Sequence, residues 1–181
     1  MIVKNTSLDG VKIITPTVFE DERGYFFESY KTSIFKNNEL PINFVQDNEV
    51  KSTKGVLRGL HYQFNRPQGK LVRVVSGSIL DVAVDIRKGS PTFGQSEIVH
   101  LTFENRKMLY IPEGFAHGYL VTSSESIVIY KCTDIYDPND QYGIIWNDET
   151  IGVDWMYDSP ILSEKDLMLP ALNDQQFLPE Y

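Results

Sequence analysis

The chain carries three histidines, His61, His100 and His117, and a single cysteine, Cys132. His61 lies in "VLRGLHYQ", an otherwise apolar run that also holds Arg58 and Gln63. All three polar groups are costly to bury unless something pairs with them. The run therefore lies at a surface, or it lines a pocket whose ligand uses them. His117 follows a Pro-Glu-Gly turn in "IPEGFAHGYLV" and precedes Gly118, a residue beside which a backbone or a ligand can come close. It reads equally as a pocket residue or as a hydrogen-bonded core histidine. His100, in the middle of "IVHLTF", reads as a half-exposed strand residue.

Several chemistries are poorly supported. A histidine metal site would want a ligand two residues after His61, where Gln63 is a poor one. His61 and His117 alone fall short of three ligands plus an open position, so a metal-free protein is expected. No Gly-x-Ser-x-Gly marks a serine nucleophile, and Cys132 in its strand-like run reads as a small core residue. "RKGSPTFG" lacks the order of a phosphate-binding loop, so any phosphate must be gripped by side chains, chiefly arginine. General acid–base work remains. Imidazole is the side chain whose ordinary chemistry suits a base near neutral pH, which makes His61 the candidate. Lys70 follows in "PQGKLV", and Tyr130 in "IVIYKC" shares its face with Val128, where a phenol needs a partner. A histidine base, a tyrosine acid and a lysine beside an oxyanion would suffice for proton transfer next to a carbonyl. Spacing alone does not bring the three together, and each has a plain structural alternative.

The elements that would position them alternate with period two. In "SILDVAVDIR", Leu80, Val82, Val84 and Ile86 share one face, and Asp81, Ala83, Asp85 and Arg87 the other. "KLVRVVSG", "SEIVHLTF" and "ESIVIYKCT" alternate likewise, separated by Ser-Gly, "RKGSPTFG", "PEG" and "DPND". Short strands between turns predict an all-β sandwich or barrel. Two short helices are expected, in "KTSIFKNNEL" and in "SEKDLM", the latter with Ser163 as N-cap. The tail "PALNDQQFLPEY" is expected to be irregular and packed against the body or a neighbouring subunit. The 181 residues fit one domain, and the formal charge of −8 argues against non-specific binding to nucleic acid or an anionic membrane. One cysteine allows no internal disulfide. No long apolar stretch opens the chain and no run approaches a membrane span, so a soluble cytoplasmic protein is expected.

Seven stretches follow one another in this order: "FEDERGYFFESY", "VLRGLHYQ", "QGKLV", "DVAVDIRKGSPTFG", "IPEGFAHG", "YKCTDIYDP" and "WNDETIGVDW". Together, from about residue 14 to about residue 170, they resemble the nucleotide-sugar 3,5-epimerases. The resemblance implies a cupin-type jelly-roll β-sandwich with a few short helices, metal-free and cofactor-independent, working as a homodimer. The N-terminal segment, to about residue 50, is implied to contact or exchange with the partner. It also implies a reaction. The substrate is a nucleoside-diphosphate 4-keto-6-deoxy sugar whose C4 ketone acidifies the hydrogens at C3 and C5. A base takes one, and an acid on the opposite face returns a proton to the enolate. By the same resemblance His61 is the base, Asp166 its carboxylate partner, Tyr130 the acid, and Lys70 the group that steadies the oxyanion at O4. His117 is a second site histidine, Arg58 a diphosphate contact, and Gln46 and Asn48 polar groups near sugar and nucleotide. Phe19, Arg23, Phe26 and Glu28 belong to a segment that reaches the neighbouring subunit's site, and Tyr136 is a further nucleotide or sugar contact.

Each carry-over has a structural alternative. Ser163 to Asp166 also reads as a near-capping box. "FEDERGYFFESY" also reads as an amphipathic hairpin turning at Arg23-Gly24 with Phe19 and Phe26 in the core. The chain departs from the family at Val50, where many members carry serine, and at Tyr25, where phenylalanine is common. These departures leave open the nucleotide (dTDP, GDP or another) and a hexose or a heptose, not the reaction; since some relatives invert only C3 or only C5, one or both carbons remain as alternatives. Deoxysugar supply for capsular polysaccharide or lipopolysaccharide is the implied setting. A metal-dependent cupin oxygenase or isomerase and a non-catalytic nucleotide-sugar binding module are the other classes. One conflict yields a structural expectation. Strict alternation puts His61 and Arg58 on opposite faces, while a shared pocket needs them on one. A bulge near Gly59 or Leu60 would flip the parity.

Overall fold

The computed structural model describes residues 1–181. Thirteen strands carry the fold: β1 (Ile2–Asn5), β2 (Lys12–Thr15), β3 (Val18–Asp21), β4 (Gly24–Phe27), β5 (Gln46–Thr53), β6 (Leu57–Gln63), β7 (Lys70–Ser76), β8 (Ser78–Asp85), β9 (Ser96–Thr102), β10 (Met108–Ile111), β11 (Phe115–Val121), β12 (Glu125–Cys132) and β13 (Gln141–Gly143). Two antiparallel sheets, ordered β1-β2-β10-β7-β12-β5 and β13-β6-β11-β8-β9, face each other. This is the expected jelly-roll sandwich. The helices are short, α1 (Thr32–Asn37) and α2 (Glu164–Leu167), with one 3-10 turn at Leu172–Asp174. No helix is long and apolar enough to cross a membrane.

The alternation read in β8 sorts onto two cores. Ile79 and Ala83 face the sandwich interior with Val72, Val74, Leu101, Leu109 and Val128. Leu80, Val82 and Val84 face outward, where they meet Ile144, Trp155, Leu172 and Leu178. The C-terminal segment thus stays on its own body and covers the outer face of the five-stranded sheet. Each fully buried aliphatic side chain there contributes about 1.5–3 kcal/mol. Segment and sheet are also tied by backbone pairing, with Leu57 N–H donating to Ile161 O and Lys88 N–H to Pro179 O. On the other sheet, α1 lays Phe35 over Ile14, Leu71 and Met108.

The hairpin β3–β4 stands apart from both sheets. Its two-residue turn is Glu22-Arg23, one position earlier than the sequence reading. Asp21 pairs with Gly24 in the ladder, and the Asp21 carboxylate accepts from the Arg23 backbone N–H at 2.9 Å, which closes the turn there. Phe19 and Phe26 are not core residues of this chain. They pair across the ladder on one face and stand 61% and 65% exposed. The opposite face is the one held down. The Arg106 guanidinium sits 4.2 Å from the Tyr25 ring centroid and that of Arg73 5.7 Å from Phe27, contacts worth about 0.5–2 kcal/mol each.

Candidate active site

A cavity of about 500 Å³ opens between the two sheets. Strand register explains which side chains reach it. On β5, β12 and β7 the cross-strand pairs Asn48–Tyr130–Val72 and Gln46–Cys132–Lys70 run across the six-stranded sheet. Paired residues in an antiparallel ladder share a face, and Val72 lies in the sandwich core. Gln46, Asn48, Lys70, Tyr130 and Cys132 therefore all point inward and line the cavity.

The opposite wall comes from β6 and β11, where the parity conflict is resolved. His117 pairs with His61 and Tyr119 with Arg58, so the lone Gly118 faces both Gly59 and Leu60. This is a one-residue bulge. Leu57, Leu60 and Tyr62 point to the outer core, while Arg58, His61 and Gln63 turn to the cavity. Glycine is needed at the bulge. Gly59 has φ +109°, and a Cβ there would lie 2.6 Å from the His117 carbonyl oxygen. Gln63 is used structurally: its amide donates to Arg66 O and Ile135 O and accepts from Asp137 N–H. This latches the loop that carries Tyr136.

His61 Nε2 lies 2.5 Å from Asp166 Oδ1. Asp166 is delivered by α2, whose cap forms as expected, the Asp166 N–H donating to Ser163 Oγ at 3.1 Å. Burial alone would raise the Asp166 carboxyl, but the hydrogen bond and charge of His61, with Ser163 and the Gly59 N–H, hold it below the usual carboxylate range. The carboxylate is ionised at neutral pH, accepts the Nε2 proton and leaves Nδ1 of His61 as the nitrogen able to take another. A second pair lies deeper, with His117 Nε2 2.7 Å from Asp81 Oδ1. Burial pulls His117 down more than Asp81 raises it, so its imidazole is neutral at neutral pH. Burial likewise pulls Lys70 down, opposed by Cys132 and Asp81. Tyr130 is pushed up to about 12, chiefly by burial. It holds its proton at neutral pH and can donate it.

A polar ladder lines one end. The Tyr136 N–H donates to Gln46 Oε1, Gln46 Nε2 to Asn48 Oδ1 at 2.9 Å, and Asn48 Nδ2 to Cys132 Sγ at 3.6 Å. Cys132 is buried as expected, and burial raises its thiol pKa. Val50 also lines the cavity.

The cavity thus brings together His61, Asp166, Lys70, Tyr130, Arg58, His117, Gln46, Asn48 and Tyr136. It does not include Phe19, Arg23, Phe26 or Glu28. Arg23 pairs with Asp21 at 2.6 Å and Glu28 with Lys31 at 2.9 Å, both at the surface. Sequence reading passed over Gln68, Tyr119, Gln141 and Lys165, which also line it. Period two from His117 would have found Tyr119. Gln141 sits in a turn-like "NDQYG" and Lys165 in a helix, and neither carries a local signal. Gln141 accepts from the Tyr136 hydroxyl at 2.6 Å.

Comparison with known proteins shows the family and agrees with the fold. Residues 5–174 match the dTDP-4-dehydrorhamnose 3,5-epimerase family model. The chain is 57% identical over 164 residues to a dTDP-4-dehydrorhamnose 3,5-epimerase of Methanothermobacter thermautotrophicus, covering 89% of each chain. It is 51% identical to that of Salmonella typhimurium, covering 99% of this chain and 100% of the other. Among solved structures, the dTDP-6-deoxy-D-glucose-3,5-epimerase of Legionella pneumophila, in complex with dTDP-4-keto-L-rhamnose, superposes with a TM-score of 0.96 at 46% identity, covering 99% and 98% of the two chains. The chain belongs to the dTDP-4-dehydrorhamnose 3,5-epimerase family.

Proposed function

We propose that this chain inverts C3 and C5 of a dTDP-linked 4-keto-6-deoxy hexose by proton transfer through an enolate. The observation that carries the reading is that His61 and Tyr130 line one cavity from opposite sheets. A sugar held between them has a base on one face and an acid on the other, which is what inversion at carbon requires. Nδ1 of His61 takes the proton from C3 or C5, and the C–H electron pair enters the C4 carbonyl as an enolate. Lys70 steadies the charge on O4. The Tyr130 hydroxyl gives its proton to the same carbon from the other side. The imidazolium then loses its proton and the phenolate regains one from water, and the second carbon follows by the same steps. Asp166 holds the His61 tautomer and stabilises its charged form.

Arg58 takes the diphosphate and Gln46, Asn48 and Tyr136 the sugar and nucleotide, while His117 completes the wall behind Lys70. The hexose and thymine follow from the substrates named for the relatives. We further propose a homodimer in which the outer face of β3–β4 reaches the partner's cavity. Phe19 and Phe26 pack on the base, with Arg23 and Glu28 beside them. The support is the exposure of both phenylalanines on a hairpin whose other face is pinned by Arg73 and Arg106. The setting is cytoplasmic deoxysugar supply for surface polysaccharide. The test is a panel of 4-keto nucleotide sugars, dTDP-hexoses and GDP-heptoses, followed by NMR. Inversion with the dTDP-hexose is expected. No inversion with any member would overturn the reading.

A further inference from the structure

Tyr119 is the one cavity-lining phenol whose hydroxyl is both sealed from solvent and without a hydrogen-bond partner. It is 4% exposed, and its hydroxyl is sealed from solvent and unpaired. Buried hydroxyls are rarely left so, because the lost hydration is not returned. Its neighbours show what it waits for. Tyr119 stands opposite Arg58 in the β6–β11 ladder, and its hydroxyl faces Arg58 and Ser52 closely enough that both oppose the effect of burial on its pKa, while neither meets it in full hydrogen-bond geometry. Arg58 Nε donates to Ser52 Oγ at 3.2 Å, and Ser52 is itself buried. Burial raises the Tyr119 pKa, so the phenol is protonated and its oxygen is a neutral acceptor. A guanidinium has five N–H donors on a planar fork. One of them uses Ser52, and one edge remains to point into the cavity.

We infer that Tyr119 is a positioning residue for Arg58: its hydroxyl and that of Ser52 form a two-point socket for the inner edge of the guanidinium, closed when the outer edge takes up a diphosphate. Anion binding draws the guanidinium into the fork geometry that suits two phosphate oxygens. The same small rotation brings an N–H onto Tyr119 Oη and satisfies the orphaned hydroxyl. Part of the affinity for diphosphate then comes from a bond made inside the protein. A phenylalanine here fills the same space but offers no second anchor, so this hydroxyl tunes how firmly the chain holds the diphosphate end of its substrate. The inference rests on the reading of Arg58 as the diphosphate ligand.

The test is a double-mutant cycle read by calorimetry with dTDP and with thymidine as probes. Tyr119→Phe should weaken dTDP about ten- to a hundredfold, the size of one hydrogen bond to a charged donor. Thymidine binding should be unchanged. With the 4-keto nucleotide sugar, KM should rise by a similar factor while kcat stays within twofold, a split that a general loss of packing would not produce. In the Arg58→Ala background the same substitution should have no effect. Equal weakening with and without Arg58, or no weakening in the single variant, would overturn the inference. If instead Arg58→Ala leaves dTDP affinity intact, the assignment of Arg58 itself fails, an outcome distinct from the first two. Ser52→Ala supplies the same cycle from the other anchor should Tyr119→Phe fold poorly.

Discussion

Replacing Asp166 by asparagine changes one oxygen to an NH2 group and leaves the volume of the side chain intact. The carboxylate lies 2.5 Å from His61 Nε2 and is 5% exposed, with Ser163 and the Gly59 N–H also directed at it. It is surrounded by donors. An asparagine must therefore aim its NH2 at a donor or at His61. Aimed at His61, it donates to Nε2, forces the proton onto Nδ1 and removes the base. Aimed elsewhere, it still cannot stabilise the imidazolium that forms as the sugar proton is taken. At an effective dielectric of about 20, the 2.5 Å contact gives an ion-pair attraction of about 5–7 kcal/mol. The amide dipole recovers part of this. A loss of about 4 kcal/mol at the transition state corresponds to roughly a thousandfold in kcat, within the range for losing a general base. Substrate binding does not depend on the charge of His61, so KM should move less than threefold. The assay is kcat with the 4-keto nucleotide sugar together with deuterium uptake at C3 and C5 from heavy water. Both should fall in parallel. A variant that exchanges within fivefold of wild type would refute the role given to the carboxylate.

Other predictions draw on neighbouring features. Lys70 is pulled below its ordinary 10.5 by burial, while Tyr130 is raised to about 12, so the lysine loses its proton first. The alkaline limb of kcat should fall below pH 10.5 and persist in the residual exchange of Tyr130→Phe; a limb that disappears in that variant assigns it to the tyrosine instead. Asp85 anchors the loop after β8. Burial would raise its carboxyl, but Arg87, Ser90 and Thr92 overcome this and hold it at about 2, against 3.8 in the unfolded chain. A depressed carboxyl stabilises above its unfolded value and loses that contribution as pH falls through its folded one. The shift is worth about 2 kcal/mol, so Asp85 should account for about that much of the stability lost between pH 4 and pH 2, measured by urea unfolding, and Asp85→Asn should lessen the loss by that amount. For the hairpin, mixing inactive Phe26→Ala and His61→Asn subunits should restore activity if the arm completes the partner's cavity. Hybrids without activity would contradict the exchange.

Much of this arrangement was legible in the sequence because β-strand side chains alternate strictly. The two faces of β8 fell on two real cores, whereas Lys70, Tyr130 and Asn48 share a face through the register of three separate strands, which spacing alone does not give. Where alternation failed, Gly59 marked the place, since only a residue without Cβ fits against the His117 carbonyl. The turn of β3–β4 was misplaced by one residue because a glycine after an arginine looks like a turn, whereas Asp21 closes it one step earlier. Phe19 and Phe26 looked like core because pattern reports which residues are apolar and not whether their own chain covers them. Gln141 and Lys165 reach the cavity from the edge strand β13 and from α2 through long-range pairing and packing, which no local period encodes. The orphaned hydroxyl of Tyr119 is a property of packing alone.

The central claim is that His61 and Tyr130 work on opposite faces of one sugar. Its most direct test is deuterium incorporation in heavy water, followed by NMR at C3 and C5 of the dTDP-linked 4-keto-6-deoxy hexose, for wild type, His61→Asn and Tyr130→Phe. Wild type should label both carbons with inversion. His61→Asn should label neither. Tyr130→Phe should retain exchange while epimerisation falls by about a hundredfold or more, the lower end for loss of an acid. Equal labelling in wild type and His61→Asn would contradict the account.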